Sequence, residues 1–136
     1  MGVPEFTHLH VHSEYSLLDG ANRIADLVRA CKADGQRSLA LTDHGNLFGA
    51  IELYQACTAE GLRPILGCEV YVARSSRLAP HNRTENRYHH LTLLARDRQG
   101  YRNLLELASA AYLEGYHTRP RIDKELLSRH AAGLTC

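Results

Sequence analysis

Histidines alternate near the beginning of the sequence, at His8, His10 and His12, and Asp19 follows shortly after them. Side chains of an extended strand alternate between its two faces, so these three imidazoles are expected to face one side and converge on one site. Imidazole nitrogens with a nearby carboxylate suit divalent ions such as zinc or manganese. These residues alone predict either a metal site or a half-buried strand with one polar face.

The composition limits the class of protein. The chain of 136 residues is 44% hydrophobic and 23% charged, which predicts one compact globular domain. Its net charge of +1 does not indicate a nucleic-acid or membrane partner, so any such contact would be local. No signal peptide is recognisable, and no apolar run approaches the ~20 residues of a membrane helix. We therefore expect a cytoplasmic protein without a membrane partner.

Strand and helix patterns alternate along the chain. The predicted strands lie near residues 6–11, 38–42, 65–72 and 90–95. The predicted helices cover about 24–31, 47–57, 104–112 and 123–132. Three strand-helix units in succession predict parallel strands and an α/β architecture. Residues 74–87 lack periodicity and contain several arginines, and we interpret them as a solvated loop rather than as a phosphate-contacting lid.

Polar residues occur around the ends of the predicted strands. Asp43 and His44 follow the second strand, and Glu69 lies within the third, where an ionised carboxylate needs a partner such as a cation. Sites in parallel α/β folds form where strands end, so these residues are expected near the histidines. Singly, Asp43 and Asp19 could be turn formers and His44 a surface residue. Together, mixed histidine and carboxylate ligands without a ligating thiol favour a hydrolytic multi-metal site over a structural zinc site.

These residues belong to short motifs that extend over nearly the whole chain. The motifs are HLHVHS at 8–13, LDG at 18–20, LTDHGN at 41–46, GCEVY at 67–71, HLTLLA at 90–95, GYRNL at 100–104 and YLEG at 112–115. The series resembles the PHP (polymerase and histidinol phosphatase) family, in the form found at the start of bacterial DNA polymerase III alpha subunits. The resemblance implies a distorted seven-stranded (β/α) barrel, of which residues 1–136 would form the N-terminal half.

The resemblance also implies a set of site residues. The implied metal ligands are His10, His12, Asp19, His44, Glu69 and His90. Three of them, Asp19, His44 and Glu69, would take part in catalysis. Asp43 would not bind a metal itself but would be a neighbour that supports His44. The implied cofactors are divalent ions, zinc or manganese, in a cluster of two or three. The family's remaining ligands, a Cys or His and an Asp-x-His pair, would lie beyond Cys136, so we expect this chain alone to be weak or inactive.

The implied activity is phosphoester hydrolysis. In a complete alpha subunit, such a domain would be a 3′ to 5′ proofreading exonuclease attached to a DNA-directed DNA polymerase. Its partners would be the primer 3′ end, the rest of the alpha subunit, a separate exonuclease subunit and other replisome subunits. The alternative is an inert scaffold that stabilises the polymerase and docks the separate exonuclease. A free-standing enzyme like histidinol phosphatase is disfavoured by the polymerase-type motifs after His90.

Overall fold

Helices and strands alternate in the structure, a computed structural model that describes residues 6–79 and 88–136. The helices are α1 (Ile24–Ala33), α2 (Ala50–Ala59), α3 (Arg98–Leu113) and α4 (Lys124–Arg129). The strands are β1 (Ser38–Leu41), β2 (Arg63–Ala73), β3 (Tyr88–Ala95), β4 (Tyr116–His117), β5 (Arg119–Ile122) and β6 (Leu134–Thr135). The predicted arginine-rich loop lies outside the described residues from position 80 onward. The predicted α/β class is confirmed.

The strands form a mixed sheet around β2. β1 and β5 both pair with β2 in parallel. β3 is antiparallel to β2, with Glu69 opposite Thr92 and Tyr71 opposite His90. The prediction that all four strands are parallel is therefore wrong for β3. A parallel pair needs a crossover, usually a helix, and the sequence between β2 and β3 has no helical periodicity.

The segment predicted as a first strand at residues 6–11 is not a regular strand. It runs beside β1, where His8 O accepts a hydrogen bond from Ala40 N (3.0 Å) and Val11 O accepts one from Thr42 N (2.9 Å). The two acceptors are three residues apart, whereas the two donors are two apart. The segment thus carries one extra residue, as in a bulge, which breaks the alternation of side chains that the strand prediction assumed.

Two apolar clusters pack against the sheet. In the first cluster, Ile24, Val28 and Cys31 recur at helical spacing on α1 and pack with the buried residues of β1 and α2. In the second, Leu104, Leu107 and Ala111 of α3 cover β2 and β3. These helices bury one face each, as the sequence periodicity predicts. Among the described residues, no helix is long and apolar enough to cross a membrane.

Candidate metal centre

The buried carboxylate of Glu69 lies at the centre of the predicted ligands. Its side chain, only 6% exposed, contacts His10 through Oε2 and His90 through Oε1. The Nε2 atom of His12 lies 3.0 Å from Oε2, and the Nδ1 atom of His44 lies 3.6 Å from Oε1. Four imidazoles therefore surround one carboxylate in the interior of the domain.

The backbone of β2 determines which residues reach this carboxylate. Because Tyr71 pairs with His90 and Glu69 pairs with Thr92, Glu69 and His90 are diagonal neighbours on antiparallel strands. On the other side, Glu69 N donates to Asp43 O (3.1 Å) and Gly45 N donates to Glu69 O (2.9 Å). His44 lies between Asp43 and Gly45 in the sequence, so these two backbone hydrogen bonds hold it beside Glu69. His44 itself belongs to no named strand.

Asp19 joins the same site through His44. The two side chains are hydrogen bonded between His44 Nε2 and Asp19 Oδ2, at 2.9 Å. The ring of His44 also stacks on that of His12, with centroids 4.1 Å apart. Asp19 is 58% exposed, so its carboxylate lies at the solvent side of the site.

A tight turn brings Asp19 to this position. Both Asp19 N and Gly20 N donate to Ser16 O, at 3.1 and 2.7 Å. A Cβ atom on Gly20 would lie 1.8 Å from the carbonyl oxygen of Ser13, so only glycine fits at this position. The glycine that follows Asp19 thus allows the turn to fold back toward His44.

The ligand atoms fall into three overlapping groups. In each group, one atom from each of three residues lies within 4.8 Å of the others. The groups are His10 with His12 and Glu69, His12 with Asp19 and His44, and His44 with Glu69 and His90. His12, His44 and Glu69 each belong to two groups, so the three groups form one continuous cluster of ligand atoms. All six predicted ligands are brought together in these groups.

His8 does not join them. Its ring packs edge-on against Phe6, with centroids 4.7 Å apart. It lines a separate cavity together with Val11 and Leu27, and it belongs to none of the three groups found among the described residues. The expectation that three histidines converge on one site is therefore wrong for His8, because the extra residue between His8 and Val11 changes the face on which it lies.

An unpartnered atom indicates that the site fits a cation. The Nδ1 atom of His44 is buried and has no hydrogen-bond partner in the described part of the chain. A buried polar atom without a partner costs free energy, which a metal ion bound to its lone pair would remove. The surrounding donors are imidazole nitrogens and carboxylate oxygens, the set that divalent zinc, manganese and iron accept.

Both carboxylates of the site are held in the ionised form that a metal requires. Burial raises the pKa of Glu69, but hydrogen bonds from His10 and His90 outweigh it and hold the pKa below its ordinary value. The hydrogen bond from His44 lowers the pKa of Asp19. Neither group therefore needs to lose a proton at neutral pH before binding an ion.

A third carboxylate, that of Asp43, lies behind the predicted ligands and contacts them through a serine. Asp43 is 2% exposed and accepts hydrogen bonds from Ser13 N, Ser13 Oγ and Ser16 Oγ, each at 2.7 Å. The hydroxyl of Ser16 also accepts from His44 N (3.1 Å) and bonds His12 Nδ1 (3.0 Å). Support for His44 by Asp43 thus passes through Ser16, which the sequence interpretation missed. The only feature of the sequence that indicated a role for Ser16 was its position three residues after Ser13, a spacing typical of a turn.

The site opens to solvent. An open cavity of about 410 Å³ is bordered by Asp19, His44 and His90. The predicted ligands are therefore accessible from solvent on this side.

Sequence comparison identifies relatives over the whole chain. Residues 8–136 match the PHP domain family. The chain is 55% identical over 137 aligned residues to DNA polymerase III subunit alpha of Treponema pallidum, covering 100% of this chain and 12% of that protein. The corresponding protein of Thermus aquaticus is 52% identical, with 96% and 11% covered. The chain thus spans about an eighth of the length of these relatives.

Solved structures share the fold. A protein from Bifidobacterium adolescentis, classed as a metal-dependent phosphoesterase, superposes with a TM-score of 0.58 at 20% identity, over 80% of this chain and 34% of the other. An amidohydrolase from Chromobacterium violaceum, with bound sulfate and no metal, superposes with a TM-score of 0.56 at 25% identity, over 77% and 32%.

Proposed function

The chain belongs to the PHP domain family, and we propose that it is the N-terminal part of the PHP domain of a DNA polymerase III alpha subunit. There it acts as a metal-dependent phosphoesterase that removes nucleotides from primer 3′ ends. One observation carries this proposal: all six predicted ligands, from separate segments of the chain, meet in three overlapping groups beside an open cavity. A scaffold without chemistry would not need this arrangement, so the scaffold alternative is not favoured.

The roles of the residues follow from the contacts. When bound, divalent ions polarise a phosphoester and lower the pKa of a water molecule. Glu69, from the interior, and Asp19, from the cavity side, supply negative charge to hold such ions. With the Nε2 proton of His44 directed to Asp19, its Nδ1 lone pair faces Glu69. Ser16, which donates to Asp43, fixes the ring of His12 and the backbone of His44.

We further propose zinc or manganese as the ions, bound as a cluster of two or three. The partners are the primer 3′ end, the remainder of the alpha subunit, a separate proofreading exonuclease subunit and other replisome subunits. The similarity to DNA polymerase III alpha subunits supports these partners. The ligand types support the ions.

The test is a primer-degradation assay on the complete alpha subunit, purified free of any separate exonuclease. We expect manganese- or zinc-dependent removal of a mismatched 3′ nucleotide that a chelator abolishes. Asp19→Asn and His44→Ala should each reduce this rate by at least about 100-fold while polymerisation persists, because both side chains belong to the ligand groups. His8→Ala is the matched control and should leave the rate unchanged.

Two results would contradict the proposal. If the metal-replete protein leaves the mismatched primer untouched, the domain has no exonuclease activity. If degradation survives both the chelator and the His44→Ala substitution, a contaminating nuclease is responsible.

A further inference from the structure

The cavity beside the predicted ligands has an aromatic wall. Tyr71, Tyr88, Tyr112 and Tyr116 line it together with Arg119. Its volume of about 410 Å³ lies in the range of pockets that enclose one small organic ligand, roughly 300–1,000 Å³. A wall of aromatic rings with one guanidinium group is suited to a ligand that combines a flat ring with a negative charge.

Arg119 provides the charge next to the predicted ligands. Its guanidinium carbon lies 5.9 Å from the centroid of the Tyr71 ring. That ring is in turn 4.9 Å from the ring of His90 and 6.0 Å from the ring of His44. None of the carboxylates in residues 6–79 and 88–136 forms an ion pair with Arg119. The N–H donors of its guanidinium group are therefore available to a phosphate. Only the ring of Tyr71 separates this group from the predicted ligands His90 and His44.

Two tyrosines provide the flat surface. The rings of Tyr112 and Tyr116 are nearly parallel, with an interplanar angle of 21° and centroids 6.0 Å apart. They are 42% and 55% exposed, respectively, so aromatic area is open to the cavity side. A nucleobase can stack on such a surface whatever its identity, because every base has a π face.

The β4–β5 turn holds the charge and the ring surface on one wall. His117 pairs with Arg119, which leaves only Thr118 between the two strands. Thr118 has a φ of 61°, a conformation that a β-branched residue adopts only when its surroundings impose it. This strained turn places Tyr116 before and Arg119 after Thr118, which itself lines the cavity.

We propose that this cavity binds the 3′-terminal nucleotide of a single-stranded nucleic acid, with Arg119 contacting its phosphate and Tyr116 and Tyr112 stacking on its base. This inference rests on the proposed function, since the phosphodiester would face the six predicted ligands. A base within a duplex is stacked and paired, so the terminal nucleotide must first unpair. Mismatched ends, which unpair at lower cost, would enter preferentially.

The first test is photo-crosslinking, which needs no catalysis. The complete alpha subunit is mixed in chelator with a single-stranded DNA whose 3′-terminal base is 4-thiothymine, irradiated, digested and analysed by mass spectrometry. We expect crosslinked peptides that contain Tyr112 or Tyr116. The crosslink should be lost in Tyr116→Ala and Arg119→Ala. It should persist in Tyr54→Ala, since Tyr54 is also 53% exposed but lies on α2 outside the cavity.

The second test is a rate comparison in metal. One single-stranded DNA has a normal 3′-terminal thymidine and the other a 3′-terminal abasic residue. Tyr116→Ala should lower kcat/KM for the normal end by about 10- to 100-fold, the value of one stacked base, mainly through KM. It should leave the abasic end unaffected, and Tyr116→Phe should retain the wild-type rate on both ends.

The outcomes separate this inference from the proposed function. Crosslinks that never map to residues 112–119, or a Tyr116→Ala effect that is equal for normal and abasic ends, would overturn the inference even if hydrolysis occurs. A crosslink to Tyr112 or Tyr116 without any hydrolysis in metal would support the inference and contradict the proposed exonuclease function.

Discussion

Ser16 connects the predicted ligands to a buried carboxylate at the scale of single residues. It bonds the ring of His12, accepts from the backbone of His44 and donates to Asp43. One hydroxyl thus holds the ring of His12 and the backbone of His44, two residues that share a ligand group with Asp19. Loss of such an outer contact typically lowers metal affinity by about 10- to 100-fold.

We predict that Ser16→Ala weakens binding of zinc or manganese by about 10- to 100-fold. The ring of His12 would lose its partner at Nδ1 and Asp43 would lose one of its three donors, while the fold would persist. Isothermal titration calorimetry, in which metal is added to the metal-free protein, measures this change in affinity. Ser109→Ala, at an exposed position of α3, serves as the control. Equal affinity of the Ser16→Ala variant and the wild type would contradict this role.

Residue types, spacing and the family resemblance together indicated six candidate ligands, and the structure brings all six side chains together. They were not sufficient for His8 or Ser16. The position of His8 depends on an extra residue in the pairing with β1, which no local pattern reveals. The role of Ser16 depends on contacts with Asp43 and His44, which are far away in the sequence.

Among the elements, the turn after β1 depends on a glycine next to a predicted ligand. Gly45 has a φ of 62°, and a Cβ atom there would lie 2.7 Å from the ring of Pro120 and 3.1 Å from the ring of Tyr71. It directly follows His44, so any shift of this turn moves a predicted ligand. The requirement for glycine is thus both conformational and steric.

We predict that Gly45→Ala destabilises the protein by more than Gly35→Ala. Gly35 has a similar φ of 73°, but nothing lies within 4 Å of its added Cβ. Gly35→Ala should cost only the backbone strain, about 1–2 kcal/mol. Gly45→Ala adds the clash with Pro120 and Tyr71, and should also weaken metal binding. Urea denaturation of both variants measures the difference, and equal losses of stability would contradict the steric argument.

A buried ionic network fixes the end of β5 and the start of α4. Arg77 pairs with Asp123 (3.1 Å) and with Glu114 (2.6 Å), and the side chains of Arg77 and Asp123 are 9% and 3% exposed. Asp123 also caps α4 by accepting from Leu126 N, at 2.9 Å. This confirms the predicted helix start at Asp123. The network anchors residues 76–79 to the β5–α4 junction.

We predict that Asp123→Asn destabilises the protein by about 3 kcal/mol at neutral pH, because it removes one partner of a buried ion pair. Burial raises the pKa of Asp123, but the N–H groups and guanidinium of Arg77 and the N–H of Leu126 hold it below its ordinary value. The carboxylate therefore stabilises the fold above about pH 4, and this stabilisation is lost as pH falls through the lowered pKa.

Urea denaturation of the wild type and of Asp123→Asn at neutral pH and at about pH 3 checks this prediction. The difference in unfolding free energy should shrink in acid. A difference that is independent of pH would show that the ionised carboxylate is not the cause.

The helices and longer strands were predictable because each buries one face or both. α1, for example, has buried Ile24, Val28 and Cys31 at helical spacing. β4 was missed because its two residues are too short for any periodicity. The antiparallel direction of β3 was missed because strand direction depends on pairing and not on local pattern.

At the scale of the whole molecule, the fold gathers side chains from distant segments around one strand. The residue pairs that meet include His10 with Glu69 and His44 with Asp19, which are 59 and 25 positions apart in the sequence. Only the sheet and the turns that flank it bring them within reach of one another. We therefore propose that these side chains together hold a cluster of divalent ions.

Anomalous X-ray diffraction from crystals of the complete alpha subunit grown with zinc or manganese tests this claim most directly. The predicted result is two or three anomalous peaks that lie among the three ligand groups, each about 2.0–2.3 Å from its ligand atoms. Two of the peaks should be bridged by the carboxylate of Glu69, since its Oε2 faces His10 and His12 and its Oε1 faces His44 and His90. Fully occupied metal peaks elsewhere in the domain, with none within ligand distance of Glu69, would contradict it.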